Sequence, residues 1–173
     1  ARKRLLDYDD VMNQQREVIY DLRLFALEGG EDLKGEIWEM IEHSVEEVLD
    51  EYLDHEYSDE SDLKALKSRL ALEYFTVISD DQLRELDPLE IGDVVLGAVR
   101  QQFENKIDGF GSHSEAVSSY IMLSMIDSKW KDHLYDLDHL KASIGFRGWG
   151  QKDPLVEYKK EAFLLFENLL GKL

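Results

Sequence analysis

The feature that most constrains this chain is a pair of apolar stripes between Ser114 and Leu173, one on each side of a glycine-rich loop. Before the loop, apolar residues recur every three or four positions, the spacing that lines one side of a helix. These residues are Tyr120, Leu123, Ile126, Trp130, Leu134, Leu137, Leu140 and Ile144. After the loop, the same spacing is kept by Leu155, Tyr158, Ala162, Phe166, Leu169 and Leu173. Two striped helices joined by a short loop predict an antiparallel helical hairpin.

The loop of the hairpin, residues 145–154, has an unusual composition. Its glycines loosen the backbone, while Phe146 and Trp149 place large apolar groups where loops are usually polar. Arg147 and Lys152 add positive charge beside them. Two interpretations remain open at this point: the aromatic side chains close the core of the hairpin, or they contact another polymer at an exposed end.

The remainder of the chain also has helical spacing. The first segment, Ala1 to Glu28, carries a near-heptad stripe that includes one polar position. The stripe consists of Leu5, Tyr8, Met12, Gln15, Ile19, Leu22 and Ala26. Further helices are predicted over residues 32–53 and 63–74, and a cap followed by proline predicts another from Asp87-Pro88. Because prolines are few and Leu, Glu and Lys are abundant, the fold class is predicted to be all-α.

The predicted organisation is nested. The long first helix packs along the two-helix hairpin, and a smaller helical insert lies between them in the sequence. The chain begins with its apolar residues already in helical register, so we expect it to continue a longer protein upstream of Ala1.

The formal charge of −18 excludes several function classes. A nucleic-acid interface needs clustered Lys and Arg, and docking on an anionic membrane needs the same, so neither partner is expected. The acidic side of the second helix is interpreted as a solvated face. The chain has no Cys, hence no disulfide framework or thiolate metal site. No apolar run reaches the roughly 20 residues that a membrane span requires.

Two clusters of polar residues suggest chemistry without establishing it. Asp7, Asp9 and Asp10 are a carboxylate cluster, but consecutive helical residues do not face each other, so ion pairs and helix packing are favoured over catalysis.

The second cluster, Asp132, Asp136 and His139, has the helical spacing i, i+4, i+7, and His133 forms a further i, i+3 pair with Asp136. Carboxylate and imidazole at this spacing can bind a metal when a second helix adds ligands. No such helix is evident, so the favoured interpretation is that these are exposed polar residues flanking the stripe. No phosphate-binding loop and no Gly-x-Ser-x-Gly motif is present. We therefore predict no catalytic, cofactor-binding or metal-binding residue in this chain.

Several stretches resemble the SecA family of bacterial preprotein translocase ATPases. Residues 5–20, LLDYDDVMNQQREVIY, are similar to the family's long scaffold helix. Residues 126–134, IDSKWKDHL, and 147–158, RGWGQKDPLVEY, are similar to its two-helix finger. The order and separation of these stretches also match. The resemblance covers the whole chain and is weakest between Asp54 and Gly111.

The resemblance implies a domain organisation. Residues 1–53 and 112–173 correspond to the helical scaffold domain, with the finger in the second part, and residues 54–111 correspond to the helical wing domain. The family's ATP and Mg²⁺ belong to motor domains outside this chain. The chain is therefore expected not to be an enzyme by itself, but to couple motor movement to movement of an unfolded preprotein.

The resemblance also implies partners and contact residues. The family's finger enters the cytoplasmic mouth of the SecYEG channel and contacts the translocating chain, which here implies Phe146, Arg147, Trp149 and Lys152 as contact residues. Trp149 stands where the family usually has Tyr, and Gly150 where it often has Ala. The expected location is cytoplasmic, peripheral at the bacterial inner membrane, with other SecA domains as partners and a possible homodimer in the parent protein. The alternatives are a metal-dependent helical hydrolase and a free-standing helical adaptor.

Overall fold

The computed structural model describes residues 2–30, 32–53, 60–83, 85–147 and 153–171. Within these ranges all regular structure is helical, which confirms the predicted all-α class. The helices are α1 (Arg2–Glu28), α2 (Asp32–Leu53), α3 (Glu60–Glu73), α4 (Asp80–Leu83), α5 (Pro88–Asp108), α6 (Ser114–Arg147) and α7 (Pro154–Leu170), with a 3₁₀ turn at Gly111–His113. None of the described helices is long and apolar enough to cross a membrane.

Several helix ends are set by capping residues that can be recognised in the sequence. At the start of α5, the Asp87 carboxylate accepts a hydrogen bond from the Glu90 backbone N–H, and the Glu90 carboxylate accepts one from the Asp87 N–H. At the start of α7, the Asp153 carboxylate accepts from the Leu155 N–H at 3.0 Å. Gly30, just after α1, has φ +50°, which favours glycine. These three boundaries were all predicted.

By packing, the chain divides into two compact units. The discontinuous unit comprises Ala1–Gly30 and Ser119–Leu173, and the continuous unit comprises Glu31–Ser118. In the continuous unit α2 packs against α3 and α5. The family-based domain boundaries after residues 53 and 111 stay a prediction.

The continuous unit has an apolar core formed by α2, α3, α4 and α5. Its buried members are Trp38, Val45, Val48, Leu49, Leu66, Leu70, Ile78, Leu83, Ile91, Val95 and Val99. The opposite side of α2 is exposed, at Glu36, Glu39, Glu46, Glu47 and Asp50. This confirms the prediction of a solvated acidic face, and burial of the apolar side is what holds these helices together.

In the discontinuous unit, α1 packs along the hairpin of α6 and α7. Their shared core contains Leu137, Leu140 and Ile144 of α6 with Tyr158 and Ala162 of α7, and Tyr8, Val11 and Met12 of α1 pack against it. Contacts between α6 and α7 continue away from the loop, where the His133 and Phe166 ring centroids lie 5.6 Å apart, so the two helices are antiparallel, as predicted. The prediction that α1 packs on the hairpin is also confirmed.

The stripe predicted on α6 is correct in part. Ile126, Leu137, Leu140 and Ile144 are buried, and Leu123, Trp130 and Leu134 are half-buried. Tyr120 is 73% exposed, so its assignment to the buried side was wrong. Met122 and His133 are buried instead. The buried side of α6 is therefore rotated slightly around the helix axis from the side that the predicted stripe defines.

The first helix of the hairpin is longer than predicted. The loop was expected from residue 145, but α6 continues through Gly145 and Phe146 to Arg147. Glycine inside a helix costs only about 1 kcal/mol relative to Ala, and continuing the helix keeps its backbone groups hydrogen-bonded. The rest of the predicted loop, residues 148–152, lies outside the described residues.

Candidate functional site

The hairpin end presents an aromatic side chain to solvent. Phe146, in the last turn of α6, is 84% exposed. Of the two interpretations left open for this residue, closure of the core is therefore wrong. The side chains of Arg147, Trp149 and Lys152, the other predicted contact residues, lie outside the described residues.

A buried polar node joins all three helices of the discontinuous unit. The His133 Nε2 atom lies 2.6 Å from the Gln15 Oε1 atom. The Gln15 Nε2 atom donates a hydrogen bond to the Ala162 carbonyl oxygen at 3.1 Å. Gln15 is 7% and His133 3% exposed. We call Gln15, His133 and the Ala162 carbonyl the polar node. It links α1, α6 and α7 at one level.

The hydrogen bonds of the polar node have a defined direction. The Gln15 amide nitrogen donates to Ala162, so its carbonyl oxygen faces His133 and can only accept. His133 must therefore carry a proton on Nε2 and donate it to Gln15. Each buried polar side-chain atom of the described residues has a partner, and so the node contributes stability where an unpaired group would reduce it.

The surroundings of His133 favour its neutral form. The ring lies between the aromatic rings of Trp130 and Phe166, with centroids at 5.5 Å and 5.6 Å. Burial lowers the pKa of His133 below its ordinary value of 6.5, and the nearby Asp136 carboxylate opposes this in part. The earlier interpretation of His133 as an exposed polar residue was wrong.

A second set of contacts joins α1 to the hairpin near its loop end. The Tyr8 and Tyr158 rings meet edge to face, with centroids 4.8 Å apart. Burial, and then the charges of Asp138 and Asp9, raise the pKa of the Tyr158 hydroxyl. Lys141 Nζ lies 3.6 Å from an Asp9 carboxylate oxygen. The Asp9 member of the Asp7/Asp9/Asp10 cluster therefore has the ion-pair role that the sequence favoured.

The residues considered as metal ligands are not brought together. Asp132, Asp136 and His139 are exposed, as the sequence favoured, and the His139 ring packs edge to face on Tyr135 at 4.3 Å. Among the described residues, no group of three or more His, Asp or Glu is placed to hold a metal ion. An open cleft of about 230 Å³ lies beside His133, lined by Lys129, Asp132, His133, Asp136, Leu165, Asn168 and Leu169.

Comparison with known proteins connects this geometry to one family. Residues 1–173 match the family model described as SecA Wing and Scaffold domain. The chain is 41% identical over 177 residues to the protein translocase subunit SecA of Syntrophobacter fumaroxidans, covering 99% of this chain and 21% of that protein. The corresponding protein of Thermodesulfovibrio yellowstonii is 43% identical over 169 residues, covering 97% and 18%. The chain thus spans about a fifth of the length of these relatives.

Proposed function

The chain belongs to the SecA wing and scaffold family, and on that premise we propose that it transmits movement from a translocase motor to an unfolded polypeptide. In this role the end of the α6–α7 hairpin contacts the polypeptide at the mouth of the SecYEG channel. ATP and Mg²⁺ act in the motor regions of the longer protein, not in this chain. The assembly works in the cytoplasm, at the surface of the inner membrane.

The exposure of Phe146 is the observation that carries this proposal. An aromatic residue that is 84% exposed at the end of a 34-residue helix contributes nothing to the core of its unit. A contact that must accept polypeptides of any sequence needs apolar area without directional bonds, and an aromatic ring provides this. Trp149, close by in the sequence, supplies a second aromatic face.

The packing of α1 supports the transmission part of the proposal. Noncovalent contacts with the hairpin are spread along this 27-residue helix. Tyr8 contacts Tyr158 near the loop end, and Gln15 bonds to His133 in the middle. Near the far end, the Ser119 hydroxyl donates to the Ala26 carbonyl at 2.7 Å. Because packed elements shift as units, a displacement of α1 carries the hairpin with it.

The experiment replaces the aromatic residues of the hairpin end in the full-length translocase. We expect Phe146→Ala and Trp149→Ala each to lower the amount of preprotein transported per ATP hydrolysed, because each removes apolar contact area. Trp149→Tyr keeps most of the transport, since the aromatic face remains.

The matched control is Tyr120→Ala, an exposed aromatic on the same helix, about 39 Å from Phe146 at 1.5 Å per residue. We expect this variant to transport normally. Normal transport by the Phe146→Ala, Trp149→Ala double variant would overturn the proposed contact. Equal losses in the double variant and in Tyr120→Ala would show that the effect is not specific to the hairpin end.

A further inference from the structure

The sides of α1 and α6 that face the shared core with α7 have the same periodicity, and side-chain contacts join these two helices at several levels. On both helices the intervals alternate between four and three residues, which is heptad spacing. On α1 the positions are Tyr8, Met12, Gln15, Ile19, Leu22 and Ala26. On α6 they are Ile126, Trp130, His133, Leu137, Leu140 and Ile144. Apolar contacts are not directional, so seams with matching periods can be paired in more than one axial position.

Within these two sets of positions, Gln15 and His133 are the only buried residues whose side chains carry hydrogen-bonding groups, since Tyr8 and Trp130 are only half-buried. They meet each other at 2.6 Å. If α1 moved by one turn along α6 in one direction, Gln15 would face Leu137 and His133 would face Ile19, so both buried polar groups would lose their partners. One turn in the other direction, His133 would exchange the Gln15 carbonyl for the weakly accepting thioether of Met12, while Gln15 would face the Trp130 indole.

We propose that Gln15 and His133 form a register lock, which selects one axial position of α1 on the hairpin. The bond from Gln15 to the Ala162 carbonyl extends the lock to α7. A single buried polar pair in an otherwise apolar seam is known to specify register in coiled coils. The lock concerns the geometry of the discontinuous unit and does not depend on the transport role.

The other ion pairs and hydrogen bonds between α1 and α6 are less selective for one axial position of α1. Arg23 and Asp127 form an ion pair with side chains that are 38% and 53% exposed, and such long exposed side chains adapt to a shift. Ser119 donates to a backbone carbonyl, that of Ala26, and a helix presents a carbonyl at every turn. The Asp9–Lys141 ion pair is exposed to a similar extent and adapts in the same way. Among the contacts between α1 and α6 in the described residues, the buried pair Gln15–His133 is therefore the one that distinguishes one turn from the next.

The test measures the distance between α1 and α6 with two spin labels. The chain has no cysteine, so Glu28→Cys and Asp138→Cys, both at exposed positions, give a single labelled pair. The label distance is measured by pulsed electron–electron double resonance in the unaltered background and in the pair Gln15→Leu, His133→Leu. We expect one narrow distance in the unaltered background. In the leucine pair we expect a second population displaced by about 5 Å, one helical turn.

Two controls accompany this measurement. Ser119→Ala removes a different α1–α6 hydrogen bond and should keep the single distance. Exchange of the two residues, Gln15→His with His133→Gln, preserves a buried polar pair and should also keep it. A single narrow distance at the native value in the folded leucine pair would overturn the lock. If that pair does not fold, Gln15→Met with His133→Phe takes its place, with the same two outcomes.

Discussion

The helices of the two units are held together by different kinds of buried contact. The continuous unit is held by a cluster of Leu, Val, Ile and Trp side chains. The hydroxyl of its buried Thr76 donates to the carbonyl of Tyr74, two residues away. The discontinuous unit has a long seam with a buried polar pair at Gln15 and His133, from helices far apart in sequence. The apolar core of the continuous unit gives stability through burial. The seam of the discontinuous unit does the same and also specifies the axial position of α1 on the hairpin.

The surfaces of the two units differ in how many large apolar side chains they expose. In the part of the chain that the structure describes, most of the exposed large apolar side chains belong to the discontinuous unit. They include Leu6, Tyr20, Leu27, Tyr120, Phe146, Val156, Phe163 and Leu164. Exposed apolar surface of this extent is typical of regions that contact other proteins or other domains, and the relatives that this chain matches are about five times its length.

The largest effect should come from a cavity in the continuous unit. Leu70 is fully buried, so Leu70→Ala should lower the free energy of unfolding by about 2–5 kcal/mol. Leu72→Ala, two residues along α3 at a position 79% exposed, should change it by less than about 0.5 kcal/mol. Urea unfolding measures both. Equal effects of the two substitutions would contradict the assignment of the core.

A smaller effect is expected from breaking the polar pair of the discontinuous unit. Gln15→Leu alone leaves the buried His133 Nε2–H without an acceptor and should cost about 1–3 kcal/mol in unfolding free energy. Adding His133→Leu should restore much of this loss, since an apolar pair can replace a buried polar pair at little cost. A double variant less stable than either single variant would show that the node contributes mainly packing shape, not hydrogen bonding.

The stability of the discontinuous unit should also depend on pH through His133. The folded pKa of His133 lies below its unfolded value of 6.5, so its contribution is complete above that pH. As the pH falls below 6.5 the unfolded chain takes up the proton more readily, and stability is lost towards the lower folded pKa. The charged groups near His133 include Asp136, Lys129 and Asp132 of α6.

Urea unfolding at several pH values tests this dependence on His133. As the pH falls below 6.5, we expect the free energy of unfolding of the unaltered chain to decrease relative to that of the pair Gln15→Leu, His133→Leu. The variant lacks the His133 imidazole, and every other ionisable side chain is the same in both proteins. A gap that is independent of pH would contradict a buried neutral His133.

The smallest effects should come from the exposed ion pairs of each unit. In the continuous unit Arg69 contacts Glu51 of α2 and Glu73 of α3, and in the discontinuous unit Arg23 contacts Asp127. Arg69→Gln and Arg23→Gln should each cost less than about 1 kcal/mol, and less still at high salt. A loss of several kcal/mol in thermal or urea unfolding would show that these pairs, and not the buried seams, hold the units.

Local chemistry made much of the fold predictable. Asp87-Pro88, Asp153-Pro154 and Gly29-Gly30 marked helix ends because capping needs only neighbouring residues. Heptad spacing placed Gln15 on the buried side of α1. Gly145 and Phe146 were misassigned to a loop because glycine weakens a helix without ending it.

His133 was missed for a different reason. Leu134 is apolar and was preferred for the stripe, although it is only half-buried. Strict alternation of four and three from Ile126 to Ile144 points to His133 instead. What the sequence could not indicate is the partner: Gln15 lies 118 positions away, and that pairing depends on how α1 docks on the hairpin.

The most direct test of the proposed function is a photo-cross-link from the hairpin end. A photoreactive phenylalanine analogue at position 146 of the full-length translocase should form a light-dependent adduct with a preprotein arrested during ATP-driven transport. The same analogue at position 120, also exposed on α6, should not. Adducts at position 120 with none at position 146 would contradict the assignment of the hairpin end as the surface that contacts the moving polypeptide.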